Sequence, residues 1–156
     1  MGAGLACSRP LSLARWGVAP DGAGWARAVG GKGHVNFLYS DWINDDMPHP
    51  VNTSTGNLTA MPLAWDLSDQ RLLFQQHMAT EECVEQVLRA FKTLYAEAAD
   101  TGSGRILTLT FTPWLMGQPH RIRALGTMRD RILDRAGVWP ATGAEIVDAW
   151  RPSTGS

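Results

Sequence analysis

Cysteine is scarce in this 156-residue sequence: Cys7 and Cys83 are the two present, too far apart in the chain to form a CxxC or a metal-ligand pair. That excludes a disulfide-dense secreted scaffold, and two reduced thiols in a cytoplasmic protein are expected. The four histidines, His34, His49, His77 and His120, show no HxxH, HxxxH or HExxH spacing. No two imidazoles would therefore share a helix face around a metal, and no metal site is expected within the chain. Long apolar runs are missing: nothing approaches the roughly 18 residues that span a bilayer. Charge of one sign is missing as well. Fourteen Lys and Arg against fifteen Asp and Glu leave a net charge of −1, so neither nucleic acid nor an anionic membrane is an expected partner.

Several nominal motifs lack their context. Leu5-Ala6-Cys7 looks faintly like a lipoprotein signal, but the basic and apolar regions of a leader do not precede it. The sequons at Asn52 and Asn57 mean nothing without secretion. There is no GxSxG elbow and no P-loop. Gly30-Gly31-Lys32-Gly33 leads into a β-prone run rather than a helix, so it reads as a turn.

What is there fits one globular domain, with 44% hydrophobic and 19% charged residues. Residues 1–33 form a Gly/Pro-rich N-terminal segment, loop-rich apart from a helical turn around Trp25 to Val29. Val35 to Tyr39 is β-prone and ends at a polar cluster that includes Asp41, Asp45 and Asp46. Pro48 and Pro50 argue against regular structure after it, Asn52 to Asn57 is turn chemistry, and Leu58 to Leu63 is a strand.

The second half is more periodic. Val84, Val87, Leu88, Phe91, Leu94 and Tyr95 make one apolar stripe, predicting a helix over Glu81 to Ala99 with Thr80 as N-cap and Gly102 as its stop. Arg105 to Phe111 alternates as a strand, Leu107, Leu109 and Phe111 on one face and Ile106, Thr108 and Thr110 on the other. A helix starting near Pro119 or His120 and stopping at Gly137 would bury Ile122, Leu125, Met128, Ile132 and Leu133. Gly126 weakens it. Val138-Trp139 is a short strand, and the capping box Thr142-Gly143-Ala144-Glu145 opens a last helix to about Trp150. This alternation implies an α/β fold with parallel strands.

Two loops follow β-prone runs, where α/β folds build their sites. Asp41, Asp45 and Asp46 could bind a metal, act as a base or orient another group; equally, they could cap a turn. In Thr112 to Arg121, Trp114 could wall a pocket, Gln118 could hydrogen-bond a ligand, and His120 and Arg121 stand at a helix start. The bland alternative is a rigid packed loop with Trp114 in the core. Arg121, Arg123, Arg129, Arg131 and Arg135 share no helix face and read as solvated surface.

These loops carry a likeness. Asp41-Trp42-Ile43-Asn44-Asp45-Asp46-Met47-Pro48 and Thr112-Pro113-Trp114-Leu115-Met116-Gly117-Gln118-Pro119-His120-Arg121-Ile122 resemble late motifs of the polysaccharide deacetylase (NodB-homology) family, in its allantoinase-like branch. Leu94 to Ala98 and Gly137 to Ile146 fit the same pattern, and the likeness covers about Val35 to Trp150. It implies that residues 34–152 are the C-terminal half of a distorted (β/α) barrel hydrolysing C–N bonds other than peptide bonds, in N-acetyl sugars or cyclic ureides. The family often uses a divalent metal, typically zinc, held by Asp/His/His from the first half of the barrel.

On that resemblance Thr112 stands where the family has a late-strand histidine, with Asp41, Asp45 and Asp46 as the accompanying carboxylates. Trp42, Trp114, Gln118, His120 and Arg121 face a small-molecule or sugar-amide ligand. A threonine hydroxyl does not titrate near neutral pH and cannot shuttle a proton as imidazole does. A barrel also needs on the order of 250 residues, and the strands that would bring the metal ligands are not in this sequence. The expectation is an incomplete hydrolase-family chain with little or no activity by itself, or a binding module derived from that fold. No cofactor is expected within the chain. Self-association, or pairing with a complementing N-terminal half, is expected.

Overall fold

The computed structural model describes residues 11–14, 37–40, 46–53 and 56–150. The helical turn expected at Trp25 to Val29 lies outside them, as does the start of the Val35 run. Two three-stranded sheets organise the described chain. In the first, β1 (Leu11–Ala14) lies between β5 (Ile106–Leu107) and β6 (Val138–Ala141), parallel to both. In the second, β4 (Gly56–Pro62) lies between β2 (Phe37–Ser40), parallel to it, and β3 (His49–Thr53), antiparallel to it. The expected α/β class with parallel pairing holds, with one antiparallel hairpin added. The described strands form these two sheets rather than one closed barrel.

The longest element is α1 (Thr80–Thr101). Its predicted stripe packs inward: Val84, Val87, Leu88 and Phe91 are buried, and Leu94 and Tyr95 pack half-buried against the same core. Thr80 is not the cap. Ala79 occupies that position in extended conformation, and the Glu82 carboxylate accepts its N–H at 3.2 Å, so a side chain from inside the first turn satisfies the free donor. Gly102, at φ 64°, ends the helix in the left-handed conformation that glycine adopts without strain.

Strand β5 separates two cores. Leu107 and Leu109 join α1 and α2 (Ile122–Leu133) in one cluster, while Ile106 packs with Phe37, Met61, Ala141, Ile146 and Val147 in the other. Period-two alternation across the strand requires this division. The ladder itself covers Ile106 and Leu107, because β1 pairs with those two residues and no further. The predicted strand to Phe111 is therefore longer than the paired one.

Three other expectations are corrected. Pro50 lies within a strand: among the described strands β3 is at the sheet edge, where proline's missing donor is tolerated. Helix α2 begins at Ile122 after a run of turns and ends at Leu133; Gly137, at φ 80°, belongs to the following turn. On α2, Met128 and Ile132 are buried and Leu125 half-buried, but Ile122 and Leu133 are exposed. At 3.6 residues per turn those two fall about 100° from the centre of the buried stripe. A 3₁₀ turn (Trp65–Leu67) and a π-helix (Gln70–Gln75) were not expected from the sequence.

The helix α3 (Gly143–Trp150) starts as predicted. Thr142 donates to Glu145 from its N–H at 2.7 Å and from its hydroxyl at 2.8 Å. Those bonds hold the Glu145 carboxyl below its ordinary value.

Two glycines give opposite expectations. A Cβ at Gly126 would meet nothing within 4 Å, so Gly126→Ala should raise stability by up to about 1 kcal/mol. A Cβ at Gly143 would lie 2.6 Å from the Tyr39 hydroxyl and 2.7 Å from the Phe37 ring. Gly143→Ala should therefore lower stability by about 1–3 kcal/mol through overpacking. Denaturant melts of the two variants should move in opposite directions.

Candidate active site

The site at Thr112 is built from two segments that are distant in sequence. One runs from Ser68 through the π-helix; the other is the loop that follows the β5 segment. Ser68 and Asp69 are fully buried. Ser68 caps the start of the π-helix, its hydroxyl accepting Arg71 N–H at 3.2 Å and its carbonyl accepting Leu72 N–H at 2.9 Å. Asp69 N–H donates to the Thr110 carbonyl at 3.2 Å, fixing the segment against the extended chain beyond β5.

The Asp69 carboxylate then takes hold of Thr112. Its Oδ2 accepts the Thr112 N–H at 2.6 Å and the Thr112 hydroxyl at 2.9 Å. Burial pushes the Asp69 carboxyl up from its ordinary value; the Thr112 donors and the N–H groups of Gln70 and Met116 oppose that shift without cancelling it. Oδ1 meets no donor in hydrogen-bond geometry among the described residues. Thr108 and Thr110 are also buried, with hydroxyls that meet no partner there.

The loop is held by its own backbone. The Thr112 carbonyl accepts the N–H groups of Leu115 and Met116 at 3.0 Å, and the Gln118 carbonyl accepts those of Arg121 and Ile122 at 2.9 Å. A Cβ at Gly117 would run into the Pro113 carbonyl, so the tight return needs glycine. Leu115 and Met116 are buried and anchor the loop.

Trp114 is not in the core. It is 54% exposed, and its ring meets Phe74 of the π-helix edge-to-face at 5.6 Å. Gln118 donates from Nε2 to the Trp114 carbonyl at 3.0 Å, and Arg121 donates to the Leu115 carbonyl at 3.4 Å. The Arg121 Nε is buried and meets no hydrogen-bond partner among the described residues. His120 is exposed at the loop's end.

The structure does not bring Asp46 to this place. Its carbonyl accepts Ile106 N–H at 2.8 Å, and its Oδ2 lies 2.6 Å from Arg105 Nε. Asp46 thus anchors the start of β5, whereas Thr112 lies beyond the strand's far end; an extended run of six residues spans about 20 Å. Asp41, Trp42 and Asp45 lie outside the described residues.

No group of three or more His, Cys, Asp and Glu among the described residues could hold a metal ion. Cys83 is buried against the same region, and burial with the nearby Asp69 charge pushes its thiol up to about 11, against the opposing pull of Arg121. It is a protonated core residue at neutral pH.

Sequence reasoning missed Asp69 and Phe74. The available signal was weak: a Ser-Asp pair ahead of Leu72-Leu73-Phe74, which is how a cap before an apolar turn reads.

The raised Asp69 carboxyl has a measurable consequence. The unfolded carboxyl loses its proton near 3.8, while the folded one keeps it to higher pH. Between those values the folded state binds more protons, so this contribution to stability falls as pH rises through the window. Denaturant melts across the acid range should show that slope in the wild-type chain and its loss in Asp69→Asn. Identical slopes in the two proteins would refute it.

No protein-family model matches the chain. It is 28% identical over 121 residues to a protein of Schizosaccharomyces pombe (strain 972 / ATCC 24843) described as a polysaccharide deacetylase, covering 71% of this chain and 38% of that protein. Among solved structures it is similar to Puue allantoinase, with TM-score 0.63 and 26% identity over 70% of this chain and 37% of the other. A Pseudomonas aeruginosa PAO1 protein described as a polysaccharide deacetylase gives TM-score 0.62 and 25% identity, over 69% and 36% of the two chains. One from Mycobacterium smegmatis, at 23% identity and TM-score 0.51 over 68% and 38%, bears on the fold alone. The chain thus spans a little over a third of the length of each of these four proteins. The chain is thus similar to polysaccharide deacetylases and an allantoinase over about 70% of its length, matching the C-terminal portion of the Schizosaccharomyces pombe protein.

Proposed function

We propose that the chain carries the C-terminal part of a polysaccharide deacetylase-like barrel and has little or no C–N hydrolase turnover by itself. The observation that carries this reading is the Thr112 hydroxyl donating to the buried Asp69 carboxylate. A proton-transfer role at that position needs a group that titrates near the working pH and can reach a ligand. Thr112 titrates nowhere near neutrality, and its one hydroxyl proton is directed into the protein.

The proposed lineage implies a zinc ion in complete relatives, where it would polarise an amide carbonyl and activate water. The described residues do not supply its donors, so no step is assigned to it here. What this chain contributes is the floor and wall of the ligand side: the Thr112–Gly117 return, Trp114, Gln118 and Arg121. We assign the missing chemistry to a complementing polypeptide or to further strands of the same fold, acting in the cytoplasm. Among the described residues, the outer strands of both three-stranded sheets have edges at which such strands, or a second copy, could pair.

A second reading, a binding module that keeps the loop without the chemistry, is favoured by the exposure of Trp114 beside Phe74. Turnover separates it from a working enzyme. Assays of N-acetyl-sugar and allantoin hydrolysis with added zinc should show no metal-dependent turnover for the isolated chain or for Thr112→His. Imidazole alone restores at most the roughly 10²–10⁴-fold contribution of one acid–base group. Metal-dependent hydrolysis by the unmodified chain would overturn the inactive reading.

A further inference from the structure

Helix α2 turns one side to the core, where Met128 and Ile132 are buried and Leu125 is half-buried. Another side is open. Ile122 is exposed by 49% and Leu133 by 37%. At 3.6 residues per turn these two share an arc of about 60° with Gly126 and Arg129. Arg123, Asp130 and Asp134 are exposed along one flank of that stripe, within about 40° of one another. We propose that the stripe docks on the same stripe of a second copy of this chain, as an antiparallel pair of α2 helices related by a two-fold axis. The proposal does not depend on the deacetylase-like reading.

Three observations favour a second copy. The first is spacing. Ile122 and Leu133 are centred on the same point of the helix as Gly126 and Arg129. Reversing the helix about that point sets Ile122 on the copy's Leu133 and Arg129 on the copy's Gly126, so the face is complementary to itself. The second is room for close approach. A Cβ at Gly126 would meet nothing within 4 Å, which lets a second helix axis come to the short end of the usual range of about 8–10 Å. The Arg129 guanidinium is held by Asp130 of its own helix, at 3.0 Å from Nε and 2.6 Å from Nη2. Its methylene stem can then cover the glycine as apolar surface. The third is charge. The flank carries the cation Arg123 near its N-terminal end and the anions Asp130 and Asp134 near its C-terminal end. Antiparallel pairing brings these opposite signs together and opposes the two helix dipoles. A parallel pair would set Arg129 against Arg129 and align the dipoles. Arg131 lies on a different side of α2, paired with Glu85 of α1 at 3.1 Å.

Size sets the expected strength. One face of this 12-residue helix, about 18 Å long, falls well short of the roughly 800 Å² that each partner gives a stable interface. The dimer should therefore be weak and concentration-dependent. Sedimentation equilibrium of the whole chain should show monomer near about 1 μM and dimer near about 1 mM. Leu133→Lys and Arg123→Glu should each weaken dimerisation roughly tenfold or more. Combining Arg123→Glu with Asp134→Lys should recover affinity, because the signs then match again across the axis. Thermal midpoints measured near 1 μM, where the chain is monomeric, should equal that of the wild type, because all three side chains are exposed. A wild-type chain still monomeric near 1 mM would overturn the proposal. So would an oligomer indifferent to Leu133→Lys and Arg123→Glu, since pairing at a sheet edge does not involve these residues. Failure of the double substitution to recover affinity would overturn the antiparallel register. The hydrolysis assays decide the functional reading separately, because they do not depend on α2 pairing.

Discussion

The buried carboxylate of Asp69 is the point on which the site depends. One oxygen takes two donors from Thr112, at 2.6 and 2.9 Å, and the residue's own N–H is bonded to the Thr110 carbonyl. Hydrogen bonds to a charged group are worth about 1.5–3 kcal/mol each, and a buried carboxylate deprived of them keeps its desolvation cost. The π-helix, the end of the β5 segment and the Thr112 loop are therefore tied to one another through a single residue. Everything that faces outward, Phe74 and Trp114 included, inherits its position from that tie.

A second anchor holds the other end of the same strand. Asp46 receives the Ile106 N–H on its carbonyl and meets the Arg105 guanidinium with its carboxylate, both side chains being largely buried. Losing one partner would strand the other's charge, which is why such pairs are costly to break even where they add little net stability. The strand is pinned by one aspartate at its start and by another beyond its end. The first serves architecture; the second holds the Thr112 loop against the segment that carries Phe74.

Much of the fold was legible beforehand. The stripe of α1, the alternation around β5, the capping box of α3 and the glycine stop at Gly102 are local patterns, and local patterns survive folding because period and capping act within one element. The errors had longer-range causes. Pro50 was misread because its tolerance depends on β3 being an edge strand, and edge position is a property of the sheet. Ile122 and Leu133 were placed in the core because they are apolar, yet the helix turns them away from it. Trp114 was open between core and surface on sequence grounds, and the loop's buried neighbours decided for exposure.

The sequence by itself determined the α/β alternation, the approximate limits of the helices and the resemblance carried by the Thr112–Ile122 motif. It also determined that a non-titrating residue stands at position 112, since chemical identity needs no fold to be read. Tertiary structure decided which acid meets that residue. Thr112 is held by Asp69, 43 residues upstream, which was not among the sequence's candidates. Nothing local could report that pairing, because a hydrogen bond between distant segments exists only once strand, helix and loop are packed around it.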